Sequence, residues 1–421
     1  MWEADVRGDL APPAAARPVS SSGRVGHVGG GLGRRERWFP VMAFAIVAGA
    51  VVAVSLLAYS FLPLQHRGHA NMRTNGWLDA FGWWDGWWYV GIARRGYFAF
   101  GHRMQTPVAF FPAYPMLMGL LGRLLGGPLA AGFALSVTFG LGAAVAFHRW
   151  CLLKLGSARA RLAVILLLLY PFAFYLMGAV YADALFLCAA VTAFLAVEYD
   201  RPVLAGLAAA AATATRPVGV ALVIGLWVVA LERRGVVGRR RGGLDRPLVS
   251  ARGFRPADAG LLLAPVGLVA FCIFLWLRFR HPFAFLEATS APGWDQPQGF
   301  HTWFKVHWVK AMWNGPWTSG HFGHLLANAA ATVGVGAFVP LVFRRFGWGY
   351  GIFVSVAVVV TAITTKDFVG MGRYTLAAFP CFAAAAEVLA RRPRLAGVVL
   401  GCFTAALGVL TQLHARGTIV S

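Results

Sequence analysis

Long apolar runs fill most of the chain after residue 38, and short polar or basic segments separate them. A membrane-crossing helix needs about 20 predominantly apolar residues, and in lipid only helices and closed barrels satisfy their own backbone hydrogen bonds. The pattern therefore predicts an all-α polytopic membrane protein with about 11 transmembrane helices. Two are expected within residues 203–231, and the others at residues 39–63, 129–150, 162–178, 184–197, 260–277, 325–343, 350–364, 375–390 and 395–413.

Residues 203–231 form one apolar run that Arg216-Pro217 interrupts. A single crossing would place the arginine-rich segment 232–258 outside, against the bias of Lys and Arg toward the cytoplasmic side. Proline breaks a helix because it lacks an N–H donor and its ring clashes with the preceding turn. We therefore predict two short spans that meet at Arg216-Pro217, near the outer face.

Basic residues indicate how the chain is oriented. They precede the first span and recur in four further segments, at residues 149–161, 232–258, 344–345 and 391–394. If all of these face the cytoplasm, the amino terminus is cytoplasmic and the two long outer loops comprise residues 65–128 and 281–324. Residues 110–127 are then expected to lie on the outer surface as an amphipathic or partly buried helix.

Composition excludes several classes of protein. Hydrophobic residues make up 58% of the chain and charged residues 13%, so no soluble domain remains beside the membrane domain at residues 39–421. Residues 1–38, rich in Ala, Pro, Gly, Ser and Arg, are predicted to form a disordered basic cytoplasmic tail. The net charge of +22 resides in that tail and in loops, which indicates membrane orientation and contact with lipids, not nucleic-acid binding.

Residue spacing predicts no metal and no cofactor. The five cysteines lie in or at the edges of apolar runs without paired spacing. Four histidines of the second outer loop also match no compact ligand motif; they are His301, His307, His321 and His324. An interfacial or acceptor-binding role is expected for His301.

One acid stands among aromatic residues just beyond the first apolar run. Asp85 follows Trp83-Trp84 and precedes Trp87-Trp88-Tyr89. A carboxylate in this setting can act as general base on a sugar hydroxyl, and the rings offer flat surfaces to a sugar or an isoprenoid. The alternative is an interfacial aromatic belt with a helix-capping Asp. Asp79 is the rival base, although it suits a helix cap better.

Ionisable residues concentrate in the predicted outer loops and are almost absent from the middles of the spans. A transporter more often places such residues inside the membrane, in repeated halves with broken helices, and no convincing internal repeat is present. The distribution favours an enzyme that acts at the outer face.

Six short motifs, in order, resemble those of GT-C membrane glycosyltransferases, and most closely the PIG-V family of mannosyltransferases. The family's aromatic-Trp-Asp motif, with a following Tyr and an Ile-Ala-x-x-Gly-Tyr run, is similar to Trp84-Asp85, Tyr89 and residues 92–97. Its Phe-Phe-Pro-x-Tyr-Pro element resembles residues 110–115, which include Tyr114.

The later motifs also resemble that family. Tyr170-Pro171 and residues 181–186 are similar to its Tyr-Pro and Tyr-x-Glu-Ser-Leu-Phe elements, with Asp183 in place of Glu and Ala184 in place of Ser. Residues 215–219 resemble its Thr-Arg-x-x-Gly, residues 280–285 the element after its seventh span, and residues 372–374 its Gly-Arg-Tyr.

The resemblance implies an inverting transfer of a sugar, mannose in that family, from a polyprenyl monophosphate carrier to a hydroxyl of a lipid or glycan acceptor. Asp85 is expected to be the general base, with Asp183 either assisting it or only capping a helix. Arg216, Arg373 and Tyr374 are expected to bind the donor phosphate, because a guanidinium binds phosphate oxygens through two hydrogen bonds. Aromatic side chains expected to contact substrate are Trp84, Trp88, Tyr89, Tyr114 and Tyr181.

A second reading is a non-catalytic polytopic protein, such as a lipid-linked sugar transporter or a scaffold subunit of a glycosylation complex. Arg373 would then only hold the end of a transmembrane helix at the membrane surface by extending its charged group toward water. The bias toward Arg, Ala, Gly and Val with few Lys residues suggests a bacterial plasma membrane protein. The sequence leaves the acceptor, the choice between mannose and a pentose, and any partner subunit open.

Overall fold

The computed structural model describes residues 33–65, 76–98, 104–236, 255–294, 296, 299–315 and 320–420, with the side chains of 320–322 left out. These residues form α-helices and short 3-10 turns without any β-strand, so the all-α prediction is confirmed. The first helix begins at Arg34, inside the predicted tail, and the earlier tail residues lie outside the described part. Glu36 supports this early start, since it pairs with Arg161 at 2.7 Å and lies 3.3 Å from His148.

Eighteen helices are numbered here in chain order through the described residues. They are α1 (Arg34–Phe61), α2 (Asp85–Arg95), α3 (Ala113–Gly122), α4 (Pro128–Leu155), α5 (Ser157–Leu169), α6 (Asp183–Glu198), α7 (Pro202–Thr213), α8 (Gly219–Arg233), α9 (Val266–Phe279), α10 (Ala284–Ala288), α11 (Phe300–Trp303), α12 (Val306–Asn314), α13 (Gly320–Gly336), α14 (Val339–Phe346), α15 (Trp348–Thr364), α16 (Met371–Tyr374), α17 (Phe379–Leu389) and α18 (Pro393–Ala415). Short 3-10 helices occupy Trp77–Phe81, Pro107–Ala109, Ala173–Leu176, Pro256–Leu263 and Thr375–Ala377.

Each segment predicted to span the membrane contains a helix, but few of these helices are long. Among the described residues, four stretches are long and apolar enough to cross a bilayer: Arg34–Phe61, Pro128–Leu155, Gly323–Phe346 and Pro393–Ala415. A fifth results if Pro256–Leu263 and Val266–Phe279, bent by 42°, are one span. The predicted count of eleven is not confirmed, because helices such as α7 and α17, at 12 and 11 residues, are short for a crossing.

The break predicted within residues 203–231 is present. α7 ends at Thr213 and α8 begins at Gly219, so Arg216-Pro217 lies in the turn between them. The helix predicted within residues 110–127 is also present as α3, which packs against α2 and α4. Both features follow from proline positions, since Pro217 cannot continue α7 and Pro112 precedes α3.

Helix α4 lies at the centre of the packing and contacts α3, α5 and α6. Gly140 allows a close approach there, because a Cβ at this position would stand 1.9 Å from the carbonyl oxygen of Leu176. Leu176 ends the short helix Ala173–Leu176, which leads into the turn before α6. The glycine thus lets the segment carrying Tyr181 and Asp183 rest directly on α4.

Candidate active site

Asp85 is the first residue of α2, and a strained turn places it there. The preceding Trp84 has a φ of 55°, a left-handed conformation that is uncommon for a bulky residue and frequent at functional sites. Trp83 fixes the turn, because its indole N–H donates to the carbonyl oxygen of Ala415 at 3.0 Å. The amino-terminal end of a helix also stabilises a negative charge.

Asp183 is the first residue of α6 and stands at the end of a buried turn. Ser136 of α4 donates its hydroxyl to the carbonyl oxygen of Ala179 at 2.7 Å, and Tyr114 lies 2.9 Å from the same Ser136 hydroxyl. The hydroxyl of Tyr181 donates to the carbonyl oxygen of Trp83 at 3.1 Å. These bonds join the turn before Asp183 to the turn before Asp85.

The two arginines come from distant segments. Arg216 lies in the break between α7 and α8, and Arg373 lies in the short helix α16. Asn328 of α13 accepts a hydrogen bond from the backbone N–H of Gly372 at 2.7 Å, which holds α16 in place. A Cβ on Gly372 would lie 2.3 Å from the ring of Phe172, so α16 also packs tightly on the segment before α6.

These four residues form an ion-pair cluster: Asp85, Asp183, Arg216 and Arg373. The Arg373 Nη2 lies 2.6 Å from Asp85 Oδ2, and its Nη1 lies 3.9 Å from Asp183 Oδ2. The Arg216 Nη2 lies 2.5 Å from the same Asp183 oxygen. Arg373 therefore contacts both acids, and Asp183 contacts both arginines.

The cluster is buried at one end and open at the other. The side chain of Asp183 is 2% exposed and that of Arg373 is 9% exposed, whereas that of Asp85 is 24% exposed. Two acids and two guanidiniums carry no net charge together, which reduces the cost of their desolvation. The Nε of Arg373 is buried and has no hydrogen-bond partner within the described residues.

Tyrosine rings surround the guanidinium groups. Tyr374 lies under both, with its ring centroid 4.9 Å from Arg373 and 5.2 Å from Arg216, and its hydroxyl accepts from Arg373 at 3.3 Å. Tyr181 contacts Arg373 at 4.9 Å. Burial raises the pKa of Tyr89 and of Tyr181 above the ordinary value, so both remain neutral phenols at physiological pH.

The structure brings together Asp85, Asp183, Arg216, Arg373 and Tyr374, as the sequence predicts for one site. Tyr89 is 6.5 Å from Tyr181 between ring centroids, and Tyr114 is 5.1 Å from Tyr89. Tyr114 is fully buried and hydrogen-bonded to Gly132 and Ser136, so it supports the site from behind rather than facing it.

Other predicted residues lie farther from the cluster. Trp88 stacks on Phe110 at 5.8 Å and lies 5.5 Å from Trp294, and Trp84 serves the turn before Asp85. His301 lies exposed on α11, and its described ring contact is with Phe300, so its substrate role stays a prediction. Asp79 is buried in the 3-10 helix Trp77–Phe81 and takes no part in the cluster's described ion pairs.

Sequence reasoning missed three residues that complete the site. Tyr175 lies 4.6 Å from Tyr181 and 5.8 Å from Arg373, and Ser136 and Asn328 fix the two supporting turns. Tyr175 stands between two recognised motifs and could have been found there. Ser136 and Asn328 lie in apolar helices, where a lone polar side chain is the available signal.

The cluster's acids are arranged as ion pairs rather than as a group of metal ligands in the described part of the chain. Within those residues, no group of three or more His, Cys, Asp or Glu side chains could hold a metal ion. Each acid of the cluster is instead paired with a guanidinium, as the distances above show. The arrangement is suited to binding an anion through its arginines and to accepting a proton at the exposed acid.

Comparison with solved structures shows the fold. The chain is similar to ArnT from Cupriavidus metallidurans bound to undecaprenyl phosphate, with 16% identity and a TM-score of 0.50 over 85% of this chain and 62% of that chain. The Archaeoglobus fulgidus oligosaccharyltransferase, in complex with Zn and sulfate, matches with 14% identity and a TM-score of 0.48, over 89% of this chain and 53% of that chain.

The chain thus spans less than two thirds of the length of these two proteins. The likeness to ArnT shows that its helices have a GT-C-like fold, and the long apolar helices of the described part indicate a multi-pass membrane protein. No protein-family model matches the chain, and no curated protein matches it.

Proposed function

We propose that this protein is a glycosyltransferase that takes a sugar from a polyprenyl monophosphate carrier and transfers it to a hydroxyl of a lipid or glycan acceptor at the outer face of the membrane. The observation that carries the proposal is the ion-pair cluster, in which Arg373 contacts Asp85 and Asp183 together. A transferase of this kind needs a base for the acceptor and cations for the leaving phosphate, and the cluster holds both side by side.

The arginines suit the leaving group. A polyprenyl monophosphate departs with negative charge on its oxygens, and guanidinium groups bind such oxygens through paired, charge-assisted hydrogen bonds. Arg216 and Arg373 approach the same Asp183 oxygen, so Asp183 holds their positive charges close together. Asp183 is then a positioning residue for a two-arginine phosphate site, with Tyr374 packed beneath both guanidiniums.

Asp85 is the base in this scheme. Arg373 lies 2.6 Å from Asp85 and engages its carboxylate. The donor phosphate competes for Arg373 and leaves Asp85 available for the acceptor hydroxyl. As the acceptor oxygen attacks the anomeric carbon from the face opposite the phosphate, its proton passes to Asp85, the bond from carbon to phosphate oxygen breaks, and polyprenyl phosphate leaves.

We propose mannose as the transferred sugar, because the six sequence motifs resemble those of the PIG-V family of mannosyltransferases. Trp88, three residues after Asp85 on α2 and only partly buried, offers a ring surface that suits the apolar face of a sugar, whereas Tyr89 and Tyr181 are buried. We place the amino terminus and segment 232–258 in the bacterial cytoplasm and the cluster at the outer side, following the arginine distribution.

A transfer assay tests the proposal. Purified protein is given synthetic polyprenyl phosphate mannose and a membrane acceptor fraction, with Asp85→Asn and Asp367→Asn measured beside the wild type. Asp367 makes the matched control, because it is an acid of the same predicted outer loop as Arg373 and forms none of the cluster's described ion pairs. We expect Asp85→Asn to reduce transfer at least about a hundredfold, as for loss of a general base, and Asp367→Asn to retain it.

Two results would contradict this. Equal transfer by Asp85→Asn and the wild type would remove Asp85 from the mechanism. Absence of transfer by all three proteins across several donors and acceptors would favour the transporter or scaffold.

A further inference from the structure

A groove runs between α3 and α9, with the end of α2 along its side, and none of the four cluster residues lines it. Its volume is about 1170 Å³. Its walls are apolar and include Met116 and Leu120 of α3 and Phe271 and Phe274 of α9. Met116, Leu120 and Phe274 are exposed, so the groove opens to whatever surrounds the helices.

The groove has one packed end. The backbone N–H of Ala113, at the start of α3, donates to the carbonyl oxygen of Ala214 at 3.0 Å. A Cβ on Gly267, at the start of α9, would lie 2.4 Å from the backbone nitrogen of Ala214. Both helices therefore begin against the end of α7, and the groove between them starts there.

The other end is basic. Four arginines lie there, Arg94 and Arg95 at the end of α2, Arg123 after α3 and Arg278 at the end of α9. All four are exposed, and no described acid lines the groove. From Gly267 to Arg278 the helix rises about 16 Å, at about 1.5 Å per residue. A groove of this length can hold part of an extended acyl chain.

We propose that this groove binds an anionic phospholipid, with its phosphate headgroup at the four arginines and one acyl chain along the apolar walls between α3 and α9. The charge of the groove supports a phosphate headgroup, since guanidiniums without a neighbouring acid attract phosphate at a membrane surface. The length of the apolar walls supports an acyl chain. The site is independent of the proposed transfer reaction, whose donor phosphate is assigned to Arg216 and Arg373.

Retention of lipid by the purified full chain tests this inference. The protein is incubated in detergent with phosphatidylglycerol or with phosphatidylcholine, and bound lipid is counted by native mass spectrometry. We expect the wild type to retain phosphatidylglycerol in preference to phosphatidylcholine. The double variant Arg94→Gln/Arg278→Gln should lose that preference by roughly tenfold, as expected for removing two basic residues near a phosphate.

Matched variants separate the groove from general charge and size effects. Arg392→Gln/Arg394→Gln removes the same charge from exposed positions elsewhere and should retain phosphatidylglycerol. Ala270→Trp fills the groove and should reduce retention, whereas Val269→Trp, on an exposed position of α9 outside the groove lining, should not.

Two outcomes would overturn the inference. One is that the groove variants and their matched controls behave alike, either because all retain as much phosphatidylglycerol as the wild type or because all lose it equally. The other is displacement of phosphatidylglycerol by polyprenyl phosphate at equal concentration, which would make the groove part of the donor site. Lipid retention is measured without sugar transfer, so a failed transfer assay would not affect the interpretation of the lipid-binding result.

Discussion

At the residue scale, the central feature is that Arg373 contacts Asp85 although 288 positions separate them. The sequence predicted separate roles, a base for Asp85 and a phosphate ligand for Arg373. Their 2.6 Å contact means that the two proposed roles would be coupled. Any anion that binds Arg373 must compete with Asp85, and this competition can be measured.

We expect Asp85→Asn to bind polyprenyl phosphate more tightly than the wild type, even though it should fail to transfer sugar. The substitution replaces the carboxylate with a neutral amide, so Asp85 no longer competes with phosphate for Arg373. A partly exposed ion pair of this kind contributes about 1 kcal/mol, and its loss corresponds to about a fivefold lower Kd for polyprenyl phosphate. Titration of purified protein with a fluorescent polyprenyl phosphate provides the measurement. Asp367→Asn is the control and should bind as the wild type does. Weaker or unchanged binding by Asp85→Asn would show that the pair does not compete with phosphate.

At the element scale, short helices and broken turns position the site. Three of the four cluster residues stand at helix starts or in a break: Asp85 begins α2, Asp183 begins α6, and Arg216 separates α7 from α8. Such positions were predicted where proline marks a break, as at Pro217. The close packing of the turn before α6 onto α4 was not predicted, because a glycine within an apolar run does not reveal which backbone approaches it.

The contact at Gly140 makes this packing testable. Gly140→Ala would place a methyl group 1.9 Å from the Leu176 carbonyl oxygen, so α4 and the turn before Asp183 must separate. We expect a loss of about 1–3 kcal/mol in unfolding free energy and reduced sugar transfer. Thermal unfolding in detergent, followed by the transfer assay, measures both.

Gly401→Ala is the matched control, since no heavy atom lies within 4 Å of a Cβ there. It should be neutral or slightly stabilising, because alanine restricts the unfolded chain. If Gly140→Ala matched this control in both stability and transfer, the close approach would have no role in forming the site.

At the scale of the whole molecule, the helices have a GT-C arrangement, and the proposed orientation places the ion-pair cluster on the outer side. The orientation rests on arginines in segments 232–258, 344–345 and 391–394, all of which would face the cytoplasm. The long outer segment 281–324 would carry α10, α11 and α12, and the exposed Phe300, Trp303 and Trp313 of α11 and α12 suit a membrane interface.

Cysteine labelling in intact cells checks that orientation. In a chain whose five natural cysteines are replaced, Trp303→Cys should react with a membrane-impermeant maleimide, whereas Arg392→Cys should react only after the cells are opened. Both positions are exposed, so access to reagent is decided by the membrane. Labelling of Arg392→Cys in intact cells, with Trp303→Cys protected, would reverse the proposed topology.

The sequence by itself determined the helical class, the break at Arg216-Pro217 and the residues able to carry chemistry, because hydrophobic periodicity, proline and charge act locally along the chain. Only the tertiary structure decided that Arg373 joins Asp85 to Asp183, that Tyr374 lies under two guanidiniums, and that four arginines line one groove. These contacts join residues from distant helices, and their formation depends on how the helices pack, which no local pattern specifies.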